Sequence, residues 1–179
     1  MIGPRTQTVA EPVIGYRSWR LEGHLLHSPY LPDKPWHEAT QHATCDRRYT
    51  YTGLPHLRGA PAEKCKCGLY AQHLPPPRIG ASYPADRPIS THFHATNSYI
   101  AGAVVAWGKI QVHQTGIRAQ HMRILALQAP SPECKLVEPE RWAEMRFTAR
   151  RYGVPILEAE DLVGYAEEFG RVVPVGERP

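Results

Sequence analysis

The chain has 179 residues, of which 42% are apolar, and it carries a formal net charge of +4. Its 18 prolines and 14 glycines argue against a helical bundle and favour a β-rich fold with short elements and long connections. The N-terminus lacks the charged and apolar regions of a signal peptide, and no apolar run approaches the roughly 18 residues of a membrane span. We therefore expect a cytoplasmic protein without a membrane partner.

The charge is distributed unevenly along the chain. Residues 1–128 contain 14 Lys and Arg against 7 Asp and Glu, whereas residues 129–179 contain 7 against 10. A basic body favours a polyanionic partner, because Lys and Arg release counterions from phosphates. However, 16 of the 21 basic residues are arginine, and such an excess of arginine is also typical of a GC-rich genome. The chain contains no polybasic run. The partner is therefore predicted as either a protein or a nucleic acid.

The first elements follow from hydrophobic periodicity. Residues 1–12 are polar and are predicted to form a flexible tail. Residues 13–25 alternate in the manner of a half-buried strand. That strand is expected to turn at Glu22-Gly23 into a second short strand at residues 24–27.

The middle of the chain is rich in proline and glycine. Residues 28–36 contain three prolines and are predicted to form a loop, because each proline removes a backbone donor. Residues 37–45 are compatible with a short helix or a strand, and residues 46–64 read as a basic loop. Residues 65–71 are expected to enter a short helical turn, and residues 74–90 a connector without periodicity.

A β-hairpin is predicted for residues 100–127. Apolar residues occupy both faces of the first arm, residues 117–127 return as its partner strand, and Gln114-Thr115-Gly116 is suited to a three-residue turn. Both faces of the first arm are apolar near its start, which indicates a strand at the centre of the sheet.

After residue 130 the pattern changes to a helical period. One helix is predicted to begin at Pro139 and end at Gly153, followed by an extended link at residues 154–157. A second helix is predicted for residues 158–169, with Gly170 as its C-terminal stop. The apolar stripes of the two helices are Trp142, Met145, Ala149 and Tyr152, and Leu162, Tyr165, Ala166 and Phe169.

These elements predict one α+β domain over residues 13–179. Its β-rich body, residues 13–128, is expected to form a small, bent antiparallel sheet or partial barrel. The helical segment, residues 136–170, is expected to pack with both helices on one side of that sheet. A structural zinc ion is predicted to stabilise the body.

Four soft ligands within a short window predict the zinc site. Cys45, His56, Cys65 and Cys67 supply three sulfurs and one nitrogen, which is a complete tetrahedral set for structural Zn²⁺. His42 is the alternative if His56 does not bind. Buried thiols without a metal and an iron or redox site are the other interpretations, because the two closely spaced cysteines are separated by one residue rather than two.

The same residues resemble a known pattern, and Cys134 lies outside it as a predicted free thiol. The matching motifs are Gly15-Tyr16-Arg17-Ser18-Trp19, Trp36, Ala43-x-Cys45, Pro55-His56, Cys65-x-Cys67-Gly68-Leu69-Tyr70-Ala71, Trp107-Gly108 and Gly116-x-Arg118-Ala119. They resemble a set of small uncharacterised bacterial proteins that share a C…H…CxCG-aromatic-Ala pattern. The resemblance covers about residues 13–127 and implies a zinc-type scaffold without an assigned activity.

An enzymatic alternative comes from two His-x-Thr triplets, His42-Ala43-Thr44 and His94-Ala95-Thr96. Paired triplets of this kind resemble the motif of 2H phosphoesterases, in which two histidines act as general acid and base on a phosphodiester. The resemblance implies catalytic roles for His42, Thr44, His94 and Thr96. The polar residues beside each triplet depart from that family's apolar pattern.

A basic face on the hairpin is the predicted recognition surface. Its residues are Lys109, His113, Arg118, His121 and Arg123. Positive and aromatic side chains on a sheet can contact a nucleic-acid backbone and its bases. The leading hypothesis is a zinc-stabilised, non-enzymatic binding module that recognises a protein or a polyanion, with the phosphodiesterase as the alternative.

Overall fold

A computed structural model describes residues 6–29, 31–45, 59–62, 65–75, 99–130, 132, 135 and 139–174. Its strands are β1 (Thr6–Glu22), β2 (Leu25–Ser28), β3 (Leu31–Trp36), β4 (Thr40–His42), β5 (Leu69–Gln72), β6 (Tyr99–Val112), β7 (Gly116–Gln128) and β8 (Ile156–Leu157). The helices considered below are α1 (Pro139–Tyr152) and α2 (Ala159–Glu167).

The β6–β7 hairpin forms the centre of the sheet. The two strands pair antiparallel, and the N–H of His113 donates to the carbonyl oxygen of Gly116 at 2.8 Å across the turn. Residues 100–106 of β6 are buried without interruption. The predicted hairpin and its central position are therefore confirmed.

Four strands close a ring around part of the core. β1 pairs antiparallel with β6, and its register shifts between Val9 and Val13. β5 pairs antiparallel with β7 and also meets β1 at Tyr16 and Gln72. The order β1–β6–β7–β5 thus returns to β1, as the predicted partial barrel requires.

The remaining strands extend the ring at its edges. β2 pairs with β1, and β3 pairs with β2. Along its outer edge, β7 pairs first with β5, then with β4 and then with β8. β8 runs parallel to β7. The edge of β7 therefore organises several short segments that are far apart in the chain.

Three sequence predictions for these segments are wrong. The expected tail at residues 1–12 already belongs to β1 from Thr6 onward, because β6 offers a free edge to pair with residues 6–9. The proline-rich loop contains β3, an edge strand in which a missing N–H is tolerated. The expected helical turn is instead β5, since β1 and β7 pair with it on both sides.

The two helices cover opposite faces of β6. Met145, Ala149 and Tyr152 of α1 belong to the core cluster that contains Val104 and Ala106. Leu162 and Ala166 of α2 belong to the cluster that contains Ala103 and Val105. Successive strand residues point to opposite faces, so the predicted packing of both helices on one side is wrong. Neither helix, nor any other in the described ranges, is long and apolar enough to cross a membrane.

The end of α1 holds the β2–β3 pair against the core. The Tyr152 hydroxyl accepts a hydrogen bond from the Leu26 N–H at 3.1 Å and donates one to the Trp36 carbonyl oxygen. Leu26 and Trp36 are themselves buried. As predicted, α1 begins at Pro139, and Gly153 follows it with a positive φ of 65°.

Substituting Gly116 by alanine is expected to destabilise the ring. An added Cβ would lie 2.2 Å from the Ala71 carbonyl oxygen, where β5 and β7 approach each other. Such a contact forces backbone movement, and we expect a loss of about 3 kcal/mol in the free energy of unfolding. Urea denaturation measures it.

Gly164→Ala is the matched control. Gly164 lies in α2 with no atom within 4 Å of an added Cβ. Alanine there should stabilise the protein by about 0.5–1 kcal/mol through helix propensity. Equal effects of the two substitutions would contradict the tight β5–β7 approach.

Candidate metal centre and the adjacent sheet face

Two short strands on the edge of β7 bring three cysteines together. Cys45 follows β4, whose pairing with β7 continues through a hydrogen bond from the Ala43 N–H to the Gln120 carbonyl oxygen at 2.7 Å. Cys65 and Cys67 immediately precede β5. Because β4 and β5 occupy consecutive parts of the same edge, cysteines 20 residues apart in sequence become neighbours.

The three sulfur atoms are close enough to share one ion. They all lie within 4.8 Å of one another, and the Sγ atoms of Cys45 and Cys65 are 3.7 Å apart. Cys65 and Cys67 are buried, and Cys45 is partly exposed. They pack in a small separate cluster with Ala43, Ala60 and Ala62. This cluster can hold a metal ion.

The guanidinium of Arg118 supports the turn that carries Cys65 and Cys67. One terminal nitrogen donates to the carbonyl oxygens of Cys65 and Cys67, the latter at 3.2 Å. The other donates to Gln111 Oε1 and to the Ala62 carbonyl oxygen at 3.4 Å. Only 5% of Arg118 is exposed. Its side chain therefore holds the segment around the cysteines at a fixed distance from β6 and β7.

The environment favours the thiolate form more at Cys65 than at Cys67. Burial raises the pKa of this thiol, but hydrogen bonds from Cys67 and Cys45 and the charge of Arg118 outweigh it, so the pKa is lowered overall. Burial and the neighbouring sulfurs raise the pKa of Cys67 to about 12. A bound cation would remove this difference, since metal ligation deprotonates both thiols.

The structure brings together the three predicted cysteine ligands. The predicted fourth ligand, His56, lies outside the described residues, as does Cys134. His42, the alternative ligand, is not part of the sulfur cluster as it is defined among the described residues. Its Nδ1 instead lies 2.5 Å from Nδ1 of His121.

The predicted basic face is not one continuous surface. Arg118 is buried and its terminal nitrogens donate to backbone and amide oxygens, so its assignment to a solvent-facing surface is wrong. The Nε2 atom of His113 is also buried. Burial and the charge of Arg118 lower the pKa of His113. Arg118 lies inward because the segment that contains Ala62, Cys65 and Cys67 packs over its guanidinium.

The remaining residues surround a partly exposed tryptophan. The Trp107 ring stacks on His121 with centroids 5.6 Å apart and an interplanar angle of 24°. His121 lies opposite His42, and Arg123 lies opposite Thr40 on the same strand pair. Lys109 follows two residues after Trp107 and is partly exposed. We call Trp107, His121, His42, Arg123 and Lys109 the Trp107 face.

A decrease in stability is expected at acidic pH. Burial and then the charge of His42 lower the pKa of His121 below its ordinary value of 6.5. The unfolded chain therefore binds a proton at a higher pH than the folded chain, and stability falls as pH decreases below 6.5. Urea unfolding between about pH 7.5 and pH 5 should show this fall.

The substitution His121→Gln should reduce that pH dependence. His37→Gln, at an exposed histidine between β3 and β4, is the matched control and should leave it unchanged. A flat stability profile in the wild-type protein would contradict the prediction.

Sequence reasoning missed the polar partners of this region. Gln111 is fully buried on β6, and its signal was a lone amide within an apolar strand. The facing of His42 and His121 depends on strand register, which no local motif reveals. For the 2H hypothesis, Thr44 is exposed, whereas His94 and Thr96 lie outside the described residues, so their pairing stays a prediction.

No family model, no curated protein and no solved structure matches this chain.

Proposed function

We propose that the protein is a small binding module whose fold is stabilised by Zn²⁺ at Cys45, Cys65 and Cys67. The observation that carries the proposal is the convergence of three sulfur atoms within 4.8 Å. Zinc binds thiolates at about 2.3 Å, which places two sulfurs of a tetrahedron about 3.8 Å apart. The 3.7 Å separation of the Cys45 and Cys65 sulfurs agrees with that geometry. His56 is the proposed fourth ligand.

A structural role suits the position of the site. β4 has three residues and β5 has four, and strands of this length have little stability of their own. An ion bound to Cys45 and to the Cys65–Cys67 turn would link both strands at the edge of β7. It would thereby also hold β5 in the ring, where this strand meets β1 through one residue pair.

The proposed recognition surface is the Trp107 face, and the favoured partner is a single-stranded nucleic acid. Trp107 presents a partly exposed ring that stacks on His121. Arg123 is exposed nearby, with its guanidinium 6.0 Å from the Phe169 ring centroid. Flat rings beside cations are the elements with which sheet proteins bind bases and phosphates.

A binding titration tests this part of the proposal. Fluorescence anisotropy with a labelled single-stranded oligonucleotide should show an affinity that decreases with salt. Lys109→Gln and Arg123→Gln should each reduce the slope of log K against log[salt] by about 0.7, as expected for one lost phosphate contact. Arg151→Gln, at an exposed residue of α1, is the control and should leave the slope unchanged.

Two outcomes separate the partner classes. A smaller salt slope in each of the two variants supports a polyanion bound at this face. Absence of binding to every single-stranded sequence at low salt contradicts it and leaves a protein partner. Neither outcome depends on the metal centre, whose role is tested separately by substitution of its cysteines.

A further inference from the structure

A cross-strand pair of histidines lies on the sheet apart from the cysteine cluster. His42 on β4 and His121 on β7 are directly opposed in the register. Their ring centroids are 4.7 Å apart, the rings are nearly perpendicular, and the two Nδ1 atoms are 2.5 Å apart. The two Nδ1 atoms therefore face one point in space between the rings.

A metal ion can reach the point between the two Nδ1 atoms from solvent. His42 is exposed, so water can reach the pair and complete the coordination of an ion. Among the residues that the structure describes, no carboxylate lies within ion-pair distance of either ring. The pair therefore lacks the oxygen partner that commonly holds a protonated imidazole, and its nitrogens face each other instead.

One ring of the pair is held in place by its neighbours. Trp107 stacks on His121 at 5.6 Å, and the β4–β7 pairing fixes the backbone on both sides. The nearest charged residue on this strand pair, Arg123, lies over the Phe169 ring. Only the exposed His42 ring must move to admit an ion, which limits the cost of binding.

We propose that His42 and His121 together bind a borderline divalent transition-metal ion of the Ni²⁺, Cu²⁺ and Zn²⁺ class through their Nδ1 atoms. Imidazole suits these ions better than it suits Ca²⁺ or Mg²⁺. Nitrogen binds them at about 2.0–2.1 Å, so two nitrogens on one ion stand about 2.9–3.4 Å apart between a right angle and the tetrahedral angle. Because the two Nδ1 atoms are 2.5 Å apart in the structure, they must move apart by less than an ångström to bind one ion.

The proton balance of binding is simple. When both rings of the free pair are neutral, one of them carries a proton on Nδ1 and donates it to the other ring. When both Nδ1 atoms bind the ion, that proton moves to the Nε2 atom of the same ring. Binding to the neutral pair therefore releases no proton, in contrast to binding at protonated thiols.

Nickel uptake by the full-length protein tests the proposal. The metal content of the purified protein is measured first, and Ni²⁺ is then added by equilibrium dialysis while retained zinc is monitored. The wild-type chain should take up Ni²⁺ without losing its initial metal. At the Ni²⁺ concentration that half-saturates it, His42→Ala and His121→Ala should each show about one tenth of the occupancy, because each loses a ligand.

Control variants separate ligation from folding. His37→Ala, at an exposed histidine outside the pair, should bind Ni²⁺ as the wild type does. His42→Gln keeps a hydrogen-bonding side chain but removes the imidazole, and it should lose Ni²⁺ binding while retaining the wild-type circular dichroism spectrum. Equal uptake by wild type and His42→Gln, or no uptake by wild type, would overturn the proposal.

Nuclear magnetic resonance gives a second readout. With imidazole ¹⁵N detection and Zn²⁺ as the probe, the Nδ1 signals of His42 and His121 should shift together. A response confined to other histidines, or to the Nε2 atoms of this pair, would also overturn the proposal.

Discussion

Replacing both Cys65 and Cys67 by serine is expected to remove the proposed zinc ion and to unfold the chain. A serine hydroxyl does not replace a cysteine thiolate as a zinc ligand, so two of the three clustered ligands would be lost. Structural zinc contributes about 10–16 kcal/mol of binding free energy, which is comparable with the total stability of about 5–15 kcal/mol of a typical domain. Elemental analysis should show the loss of about one zinc ion per chain. Thermal circular dichroism should show the loss of the cooperative unfolding transition.

The matched control for this experiment is Cys134→Ser, which makes the same chemical change at the predicted free thiol. It should retain the metal and unfold at the wild-type temperature. Two results would contradict a structural zinc centre. One is a wild-type protein that binds no zinc at micromolar concentrations. The other is a Cys65→Ser, Cys67→Ser protein that loses zinc but unfolds at the wild-type temperature.

The substitution Arg118→Met is expected to destabilise the protein by about 3 kcal/mol or more and to weaken metal binding. It would remove the hydrogen bonds that Arg118 donates to the carbonyl oxygens of Cys65 and Cys67 and to the buried Gln111 amide. Each buried acceptor without a partner costs about 1–3 kcal/mol. Loss of the positive charge should also raise the pKa of the Cys65 thiol, which Arg118 now lowers. Urea denaturation and competition with a zinc chelator measure both effects.

Two further substitutions make the test specific. Arg118→Lys keeps the charge but not the planar fork, so it should recover metal affinity more fully than stability. Arg123→Met removes an exposed arginine from the same strand and should cost less than about 1 kcal/mol. Wild-type denaturation midpoints for Arg118→Met would refute the role assigned to this residue.

The elements with strong local periodicity could be predicted from the sequence. The β6–β7 hairpin has alternating apolar residues and a glycine-containing turn, and α1 begins at a proline and ends at a glycine. In these elements local preference and burial act in the same direction, so the pattern alone specifies them.

Strands that form only because they pair with a strand distant in the sequence could not be predicted in this way. β5 has four residues and no alternation long enough to recognise, yet it is a strand because β1 and β7 pair with it. The N-terminal part of β1 is polar and is ordered by β6. Long-range hydrogen bonds override weak local preference in such segments.

The candidate site shows the same division. Cysteine is rare in this chain, and the spacing of Cys45, Cys65 and Cys67 was enough to predict a shared cluster. The role of Arg118 was predicted incorrectly, because a charged residue on a strand is usually exposed. It is buried here because the segment that contains Ala62, Cys65 and Cys67 packs over it and the carbonyl oxygens of that segment accept its hydrogen bonds.

The sequence by itself determined the β-rich class, the central hairpin, the two C-terminal helices and the clustered cysteines, because these features depend on local pattern and residue chemistry. The tertiary structure decided the closure of the ring, the placement of α1 and α2 on opposite faces and the facing of His42 and His121. Those features depend on strand register and on which edges meet, and residues distant in the chain share no local signal for either.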